Sequence, residues 1–242
     1  MAAALPAGAL ALARRVTEIR AVAGGLITDS AAGAVHSEHV VVAVPPALAV
    51  ALIRFRPGLP DALDQLARAT PVWMGAATKV VARYPTPFWR SAGLAGSAVS
   101  HVGPLREVHD MSGPDGSPAA LFGFAGPVGD RTVTGAEVIA QLTKLFGPEA
   151  ARPDEVLVQD WRAERFTAPP GVEHLTAYAT FGHPRYGRPA MQGRLHWAST
   201  ETGQDAPGHI EGALAAAERA VAAVLAADRI PSTVATTRQG EP

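Results

Sequence analysis

GRLHWASTET at residues 193–202 and PGHIEGALAAAERAVAAVLAA at residues 207–227 decide how this 242-residue chain is read. The first stretch reads as a strand over 194–198 that runs into a turn. The second opens on Pro207 and Gly208 and continues as an Ala/Leu helix over 210–227, because alanine is the best helix former. Leu214, Ala217, Val221 and Leu225 repeat at helical spacing as an apolar stripe. A helix N-terminus carries about half a positive charge and free N–H donors, so the opening near Gly208 and Ile210 can stabilise an anion. Taken alone, the same residues also describe a surface helix capped by Pro-Gly.

Working back from that end, 156–161 is a strand that leads into a Pro/Gly-rich loop over 167–193. Residues 135–146 read as a helix closed by Gly147 and Pro148. Strand-like runs occupy 75–84, 93–100, 107–111 and 119–124, with a turn at 112–118 (SGPDGSP). Tight turns account for the glycines of 123–129 better than phosphate binding does. Pro60 starts a helix over 60–69, with Leu63 and Leu66 on one face. The valine run at 39–44 lacks alternation, which predicts a strand covered on both faces and stopped by Pro45 and Pro46. Residues 16–21 and 26–28 flank Gly24 and Gly25 as a hairpin, and 2–15 read as a short helix. The polar residues after Arg229 predict a frayed tail. The order implies an α+β chain: a mixed or antiparallel-sheet domain inserted between two pieces of another.

Composition narrows the function classes. Hydrophobic residues make up 48% and charged residues 18%, with a net charge of −1, which describes an ordinary globular protein. No basic block draws it to nucleic acid or to an anionic membrane. No uncharged apolar stretch reaches the length of a transmembrane helix. The Ala/Leu-rich start lacks a basic n-region, and Arg14 and Arg15 follow it, so no secretion signal is expected. With no cysteine there is no disulfide, no thiolate metal site and no cysteine-linked cofactor, which fits a reducing cytoplasm. His36-Ser37-Glu38-His39 has metal-like spacing but no further ligands nearby, so no metal is expected.

The stretch 193–226 closely resembles the flavin monoamine oxidase family. GRLHWASTET is similar to that family's G-R-[IL]-[YHF]-[FW]-A-[GS]-T-E-T, and GHIEGA with AERA continues its pattern at the right spacing. Segments VVVAVPP (40–46), FRPGLP (55–60), GAATKV (75–80), YPTPFWR (84–90) and Asp160-Trp161 resemble further family segments in order. The resemblance implies FAD-domain pieces at 1–69 and 164–229, a substrate domain at 70–163, and a flexible tail at 230–242. It also implies that the usual N-terminal dinucleotide-binding part is absent, since no G-x-G occurs anywhere. A truncated polypeptide, or a separate N-terminal FAD-binding half or subunit, would account for this.

By the same resemblance, Thr200, Glu201 and Thr202 lie beside the ribityl and pyrophosphate portion of FAD. Gly208, His209 and Ile210 bring the helix N-terminus to the flavin. Lys79 matches the lysine that holds a water at the reactive nitrogen. Its other reading is an edge-strand lysine with its head in water. Trp161 matches a tryptophan beside the flavin ring, or else packs in the core. Trp89 reads as structural. His209 stands where the family has one tyrosine of an aromatic cage, and no aromatic occurs at 170–172 for the other wall. Tyr178 or Phe181 could substitute only after a loop shift. The function implied is FAD-dependent oxidation of a primary or secondary amine, with hydrogen peroxide as by-product. The alternatives are a flavin-free, partner-binding remnant and a related flavoprotein desaturase or isomerase.

Overall fold

The computed structural model describes residues 2–125 and 132–228. The expected tail at 230–242 and the glycines of 126–129 lie outside them. The fold is mixed α/β, and the chain divides into two compact units: Met1–Pro71 with Ala177–Pro242, and Val72–Thr176.

The first unit opens with an antiparallel meander, β1 (Val16–Val22), β2 (Gly25–Ser30) and β3 (Gly33–Ser37). The hairpin expected at 16–28 is β1–β2, whereas β3 lies where no strand was expected. The register Ser30↔Gly33 makes it a second two-residue hairpin, and Ser30 Oγ caps the turn by donating to Gly33 O at 2.9 Å. After β4 (Val40–Val42), helix α1 (Pro46–Leu52) packs Pro46, Ala47, Leu48 and Ala49 inward. The two prolines therefore do more than stop a strand, since Pro46 at the first helical position has its φ pre-set. Strand β5 (Arg54–Arg56) adds to β1 in parallel, where Glu18 accepts from Arg56 Nε at 2.9 Å. Helix α2 (Asp61–Ala69) carries Asp61 and Asp64 in its first turn and Arg68 in its last, charges that suit the helix dipole. The core of this unit gathers Ile19, Leu26, Leu63, Leu195 and Trp197. Each such side chain contributes about 1.5–3 kcal/mol by leaving water.

The second unit is a five-stranded sheet in the order β10-β6-β9-β8-β7. Its elements in chain order are β6 (Thr78–Tyr84), α3 (Phe88–Ser91), β7 (Ala98–Val99), β8 (Leu105–Asp110), β9 (Ala119–Ala125), α4 (Gly135–Phe146) and β10 (Glu155–Asp160). All pairings in it are antiparallel. Helix α4 begins with a capping box, in which Thr134 and Glu137 satisfy each other's backbone N–H. It buries Val138 and Leu142 in one core with Val80, Leu105, Val108 and Leu121. Trp89 is fully buried, as a structural residue should be, and donates from Nε1 to Asp110 at 2.8 Å.

The chain then returns to the first unit, through a loop with short 3-10 turns, to β11 (Leu195–Trp197) and α5 (Ile210–Asp228). Strand β11 pairs in parallel with β4, and its Leu195 also forms an isolated antiparallel bridge with Ala190.

Three expectations need correction. Residues 2–15 form no α-helix: only Ala2–Ala4 turns, as a 3-10 segment. Pro6 supplies no N–H, Gly8 sits at φ 83°, and the exposed stretch has no packed face to stabilise so short a helix. The valine strand is not covered on both faces, because Val41 is 44% exposed and β4 has one partner strand among the described residues. On α5, the stripe of Leu214, Ala217, Val221 and Leu225 faces outward, and Gly212, Ala216 and Ala220 are buried instead.

Candidate active site

Met191, Gln192 and Gly193 take left-handed φ values of 47°, 63° and 83° in succession and turn the chain into β11. Leu195, His196 and Trp197 are all buried there. Beyond Ser199, the T-E-T residues form a 3-10 turn, Thr200–Thr202, with Glu201 and Thr202 buried. Thr202 Oγ1 donates to Ser199 O at 2.7 Å and closes the turn on itself. Thr200 Oγ1 donates to His209 O at 2.7 Å and fastens the turn to the start of α5.

That junction is tight because it is made of backbone. A Cβ on Gly203 would stand 2.5 Å from Gly212 O, and one on Gly212 would collide with Ala206 O. Only glycine lets the two segments approach this closely, which is why small residues, not the leucines, form the inner face of the helix. The connecting loop takes left-handed φ values at Ala206 (44°) and Gly208 (85°). The first intrahelical bond runs from Ala213 N to His209 O, so the N–H groups of Ile210, Glu211 and Gly212 precede the ladder. Ile210 itself is 78% exposed. Glu211 lies in the same first turn, a charge that suits the dipole but would compete with a bound anion.

The loop that carries Tyr178 and Phe181 reaches the same place. Gly182 N donates to Glu201 O at 2.9 Å, and the two rings meet edge to face at 5.5 Å between centroids. Thr200, Glu201, Thr202, Gly208, His209 and Ile210 are thus brought together within the first unit.

Lys79 and Trp161 belong to the second unit. Strand β6 is flanked by β10 and β9, with Lys79 in register between Gln159 and Phe124, so Lys79 is not an edge residue. The half-buried Lys79 Nζ lies 5.7 Å from the Trp161 ring centroid and 6.0 Å from that of Phe124. These separations fall within cation–π range. Trp161 Nε1 is buried with no hydrogen-bond partner among the described residues. Next to it, the Asp160 carboxyl is held below its ordinary value by hydrogen bonds from Arg162.

Sequence reasoning missed two features. Arg219 grips the T-E-T turn from α5, donating to Thr202 O at 2.9 Å and to Trp197 O at 2.9 Å. His39 Nδ1 and His196 Nε2 are 3.1 Å apart, although 157 positions separate them, and no local pattern could announce that pair. Burial, then His39, lowers the His196 pKa below the ordinary value. A cavity of about 400 Å³ beside His39 is lined also by Glu38, Gln192, Gly193, Arg194, Ala227 and Asp228. It touches none of the expected site residues, and His36 instead lies on β3 opposite Ile27.

Residues 1–225 match the sequence model of the flavin containing amine oxidoreductases. This chain belongs to that family. AofH of Mycobacterium tuberculosis is 34% identical over 216 residues, which cover 84% of this chain and 44% of AofH. The flavin-containing amine oxidase B of Cavia porcellus is 32% identical over 214 residues, 81% of this chain and 39% of that protein. Among solved structures, cyclohexylamine oxidase from Brevibacterium oxydans superposes with a TM-score of 0.70 at 28% identity, covering 89% of this chain and 49% of that one. The chain therefore spans about half the length, or less, of the relatives it matches. Membership in this family of amine oxidoreductases implies a flavin cofactor. The T-E-T junction suits such a group: Ser199 Oγ, at the start of the turn, is buried without a hydrogen-bond partner among the described residues, and Thr200 ties the turn to the start of α5. Among the described residues no helix is long and apolar enough to cross a membrane, and no group of three or more His, Asp or Glu could hold a metal.

Proposed function

We propose that this chain carries the flavin-contacting and substrate-facing parts of an FAD-dependent oxidoreductase acting on a primary or secondary amine, with no cysteine linkage to the cofactor. The observation that carries the reading is the backbone-tight junction of the T-E-T turn with the first turn of α5, tied by Thr200 Oγ1 to His209 O at 2.7 Å. When bound, FAD would supply a two-electron acceptor for oxidation of the amine at the carbon beside nitrogen, and oxygen would take up those two electrons and two protons as hydrogen peroxide.

This chain's residues would bind and orient. Thr200, Glu201 and Thr202 hold the cofactor's ribityl and pyrophosphate portion in this reading. The leading N–H groups of α5 and Gly208 favour negative charge on its pyrimidine edge. Lys79 handles a proton in this reading, from a position beside the Trp161 and Phe124 rings. His209 takes the place of an aromatic wall on the substrate side. The pair Tyr178 and Phe181, drawn in by Gly182, supports an aromatic contribution from that loop.

The proposed partner is an N-terminal dinucleotide-binding half. A parallel sheet of two strands is rare in isolation, since parallel strands are normally covered on both faces. Among the described residues β4 and β11 form a two-stranded sheet extended only by the Ala190 bridge to Leu195, Val41 is exposed, and the outer stripe of α5 leaves Leu214, Val221 and Leu225 in water. The same apolar surface favours the second reading, a flavin-free subunit that only binds a partner.

Two measurements separate them. After incubation with FAD and desalting, the enzyme reading expects a retained and perturbed flavin absorbance, from the chain alone or once the N-terminal half is supplied. Amine-dependent peroxide release should follow, and Lys79→Met should abolish flavin reduction by the amine. Colourless protein in both cases refutes the flavin reading. Retained flavin without amine-dependent peroxide points to a desaturase or isomerase.

A further inference from the structure

We propose that Arg219 is the positioning residue of the T-E-T turn; its consequence for flavin binding rests on the function proposed above. Arg219 projects from the third turn of α5. Its Nη1 donates to Thr202 O at 2.9 Å, and its Nη2 donates to Trp197 O at 2.9 Å and to Thr202 Oγ1 at 3.3 Å. One guanidinium therefore holds the end of β11, the end of the turn, and the hydroxyl that closes the turn onto Ser199. The two carbonyls belong to chain ends that leave their ladders, and the planar fork meets both at once.

Three physical points separate this clasp from ordinary surface packing. Arg219 makes no ion pair among the described residues, so its charge is balanced by carbonyl dipoles of the turn itself. Burial lowers its pKa, so the turn must repay a real desolvation cost. Arg219 also lies nine residues beyond Ile210, about 13 Å along the helix, too far to touch a ligand at the helix start. It acts through the turn. Thr200 secures the near end of that turn to His209, and Arg219 secures the far end, so Glu201 is fixed from both sides.

The test uses the whole 242-residue chain with Arg219→Met, Arg219→Lys and Thr202→Val. Backbone amide exchange in the absence of flavin reads the clasp directly. For Arg219→Met, amides of 199–204 should exchange about tenfold faster or more, the scale of one charged hydrogen bond, while the β1–β2 hairpin keeps its protection. Arg219→Lys should fall between, because a point ammonium keeps the charge but lacks the planar two-pronged fork. Thr202→Val should lose less, and adding it to Arg219→Met should change little. Unchanged exchange at 199–204, or an equal acceleration throughout the first unit, overturns the assignment. At saturating FAD the Met variant should also shift the visible flavin band; faster exchange with an unaltered band overturns the link to the cofactor. A wild-type chain that stays colourless even with the N-terminal half counts against the flavin reading alone, and exchange still decides for or against Arg219.

Discussion

Replacing Gly212 with alanine sets two opposing magnitudes against each other at the junction that the proposed site depends on. Glycine inside a helix costs about 1 kcal/mol relative to alanine, so propensity alone predicts that the variant is more stable. Geometry predicts the reverse. The added Cβ would collide with Ala206 O, and would stand 2.9 Å from Ala206 C and 3.1 Å from Asp205 O. All three are backbone atoms, and the loop cannot simply swing away, because Ala206 O accepts from His209 N at 3.2 Å. Overpacking of this kind costs about 1–3 kcal/mol. The net expectation is a loss of about 1 kcal/mol, with weaker FAD retention because the helix start moves off the turn. Urea denaturation reads it as a lower midpoint at unchanged slope. Ala217→Gly, at an exposed position of the same helix, calibrates propensity by itself and should cost about 1 kcal/mol. Gly203→Ala, whose added Cβ would stand 2.5 Å from Gly212 O, crowds the same junction, so combined with Gly212→Ala it should fall short of additive, because a shift of the helix start that accommodates one Cβ also makes room for the other. A Gly212→Ala protein that gains about 1 kcal/mol at unchanged slope would refute the reasoning: the loop would then yield freely, and the close approach would not be enforced.

The remaining expectations concern charge and surface. Burial, then His39, lowers the His196 pKa below its ordinary 6.5, so the unfolded chain takes up a proton that the folded chain resists. Stability from this group is complete above that value and is lost as pH falls through the folded value; a His196→Phe protein should lose this slope, as urea midpoints between neutral and mildly acidic pH would reveal. Burial acts against ionisation of Asp110, but hydrogen bonds from Arg90, Trp89 and Ser112 outweigh it and hold the carboxyl well below its ordinary 3.8. Asp110→Asn should cost about 1.5–3 kcal/mol at neutral pH and remove that part of the acid limb, and an unchanged limb would exclude the assignment. Val221→Glu, on the exposed stripe of α5, should change the stability of the chain by no more than about 0.5 kcal/mol yet prevent reconstitution with an N-terminal half; normal reconstitution would remove the stripe from the interface.

Much of the fold was legible wherever a local signal and the tertiary environment agree. The helix expected at 135–146 has those bounds because its capping box, its apolar spacing and its closing glycine all act within a few residues. The hairpin at Gly24 and Gly25 was legible for the same reason, and so was the site segment, where strand, turn and helix follow one another directly. The stretch 2–15 failed because alanine content supplies propensity without a face to pack. The pairs His39 with His196 and Arg219 with Trp197 O were invisible because they are created by the parallel pairing of β4 with β11 and by the seating of α5 on it.

The inverted face of α5 has a different cause. Side-chain hydrophobicity identifies the buried side of a helix only when side chains set the distance of approach. Here the distance is set by backbone meeting backbone at Gly203 and Gly212, so the inner positions must be small whatever their hydrophobicity. Gly212, Ala216 and Ala220 repeat every four residues along the side that meets the turn. That small-residue spacing was the usable signal, and it carries a second implication. A helix that spends its inner face on close approach keeps its leucines and valines for its outer one, and in water such a stripe loses about 25 cal/mol of potential stabilisation for each Å² left uncovered. The tight junction at the start of α5 is therefore the same feature that turns Leu214, Val221 and Leu225 to the exposed side of the helix.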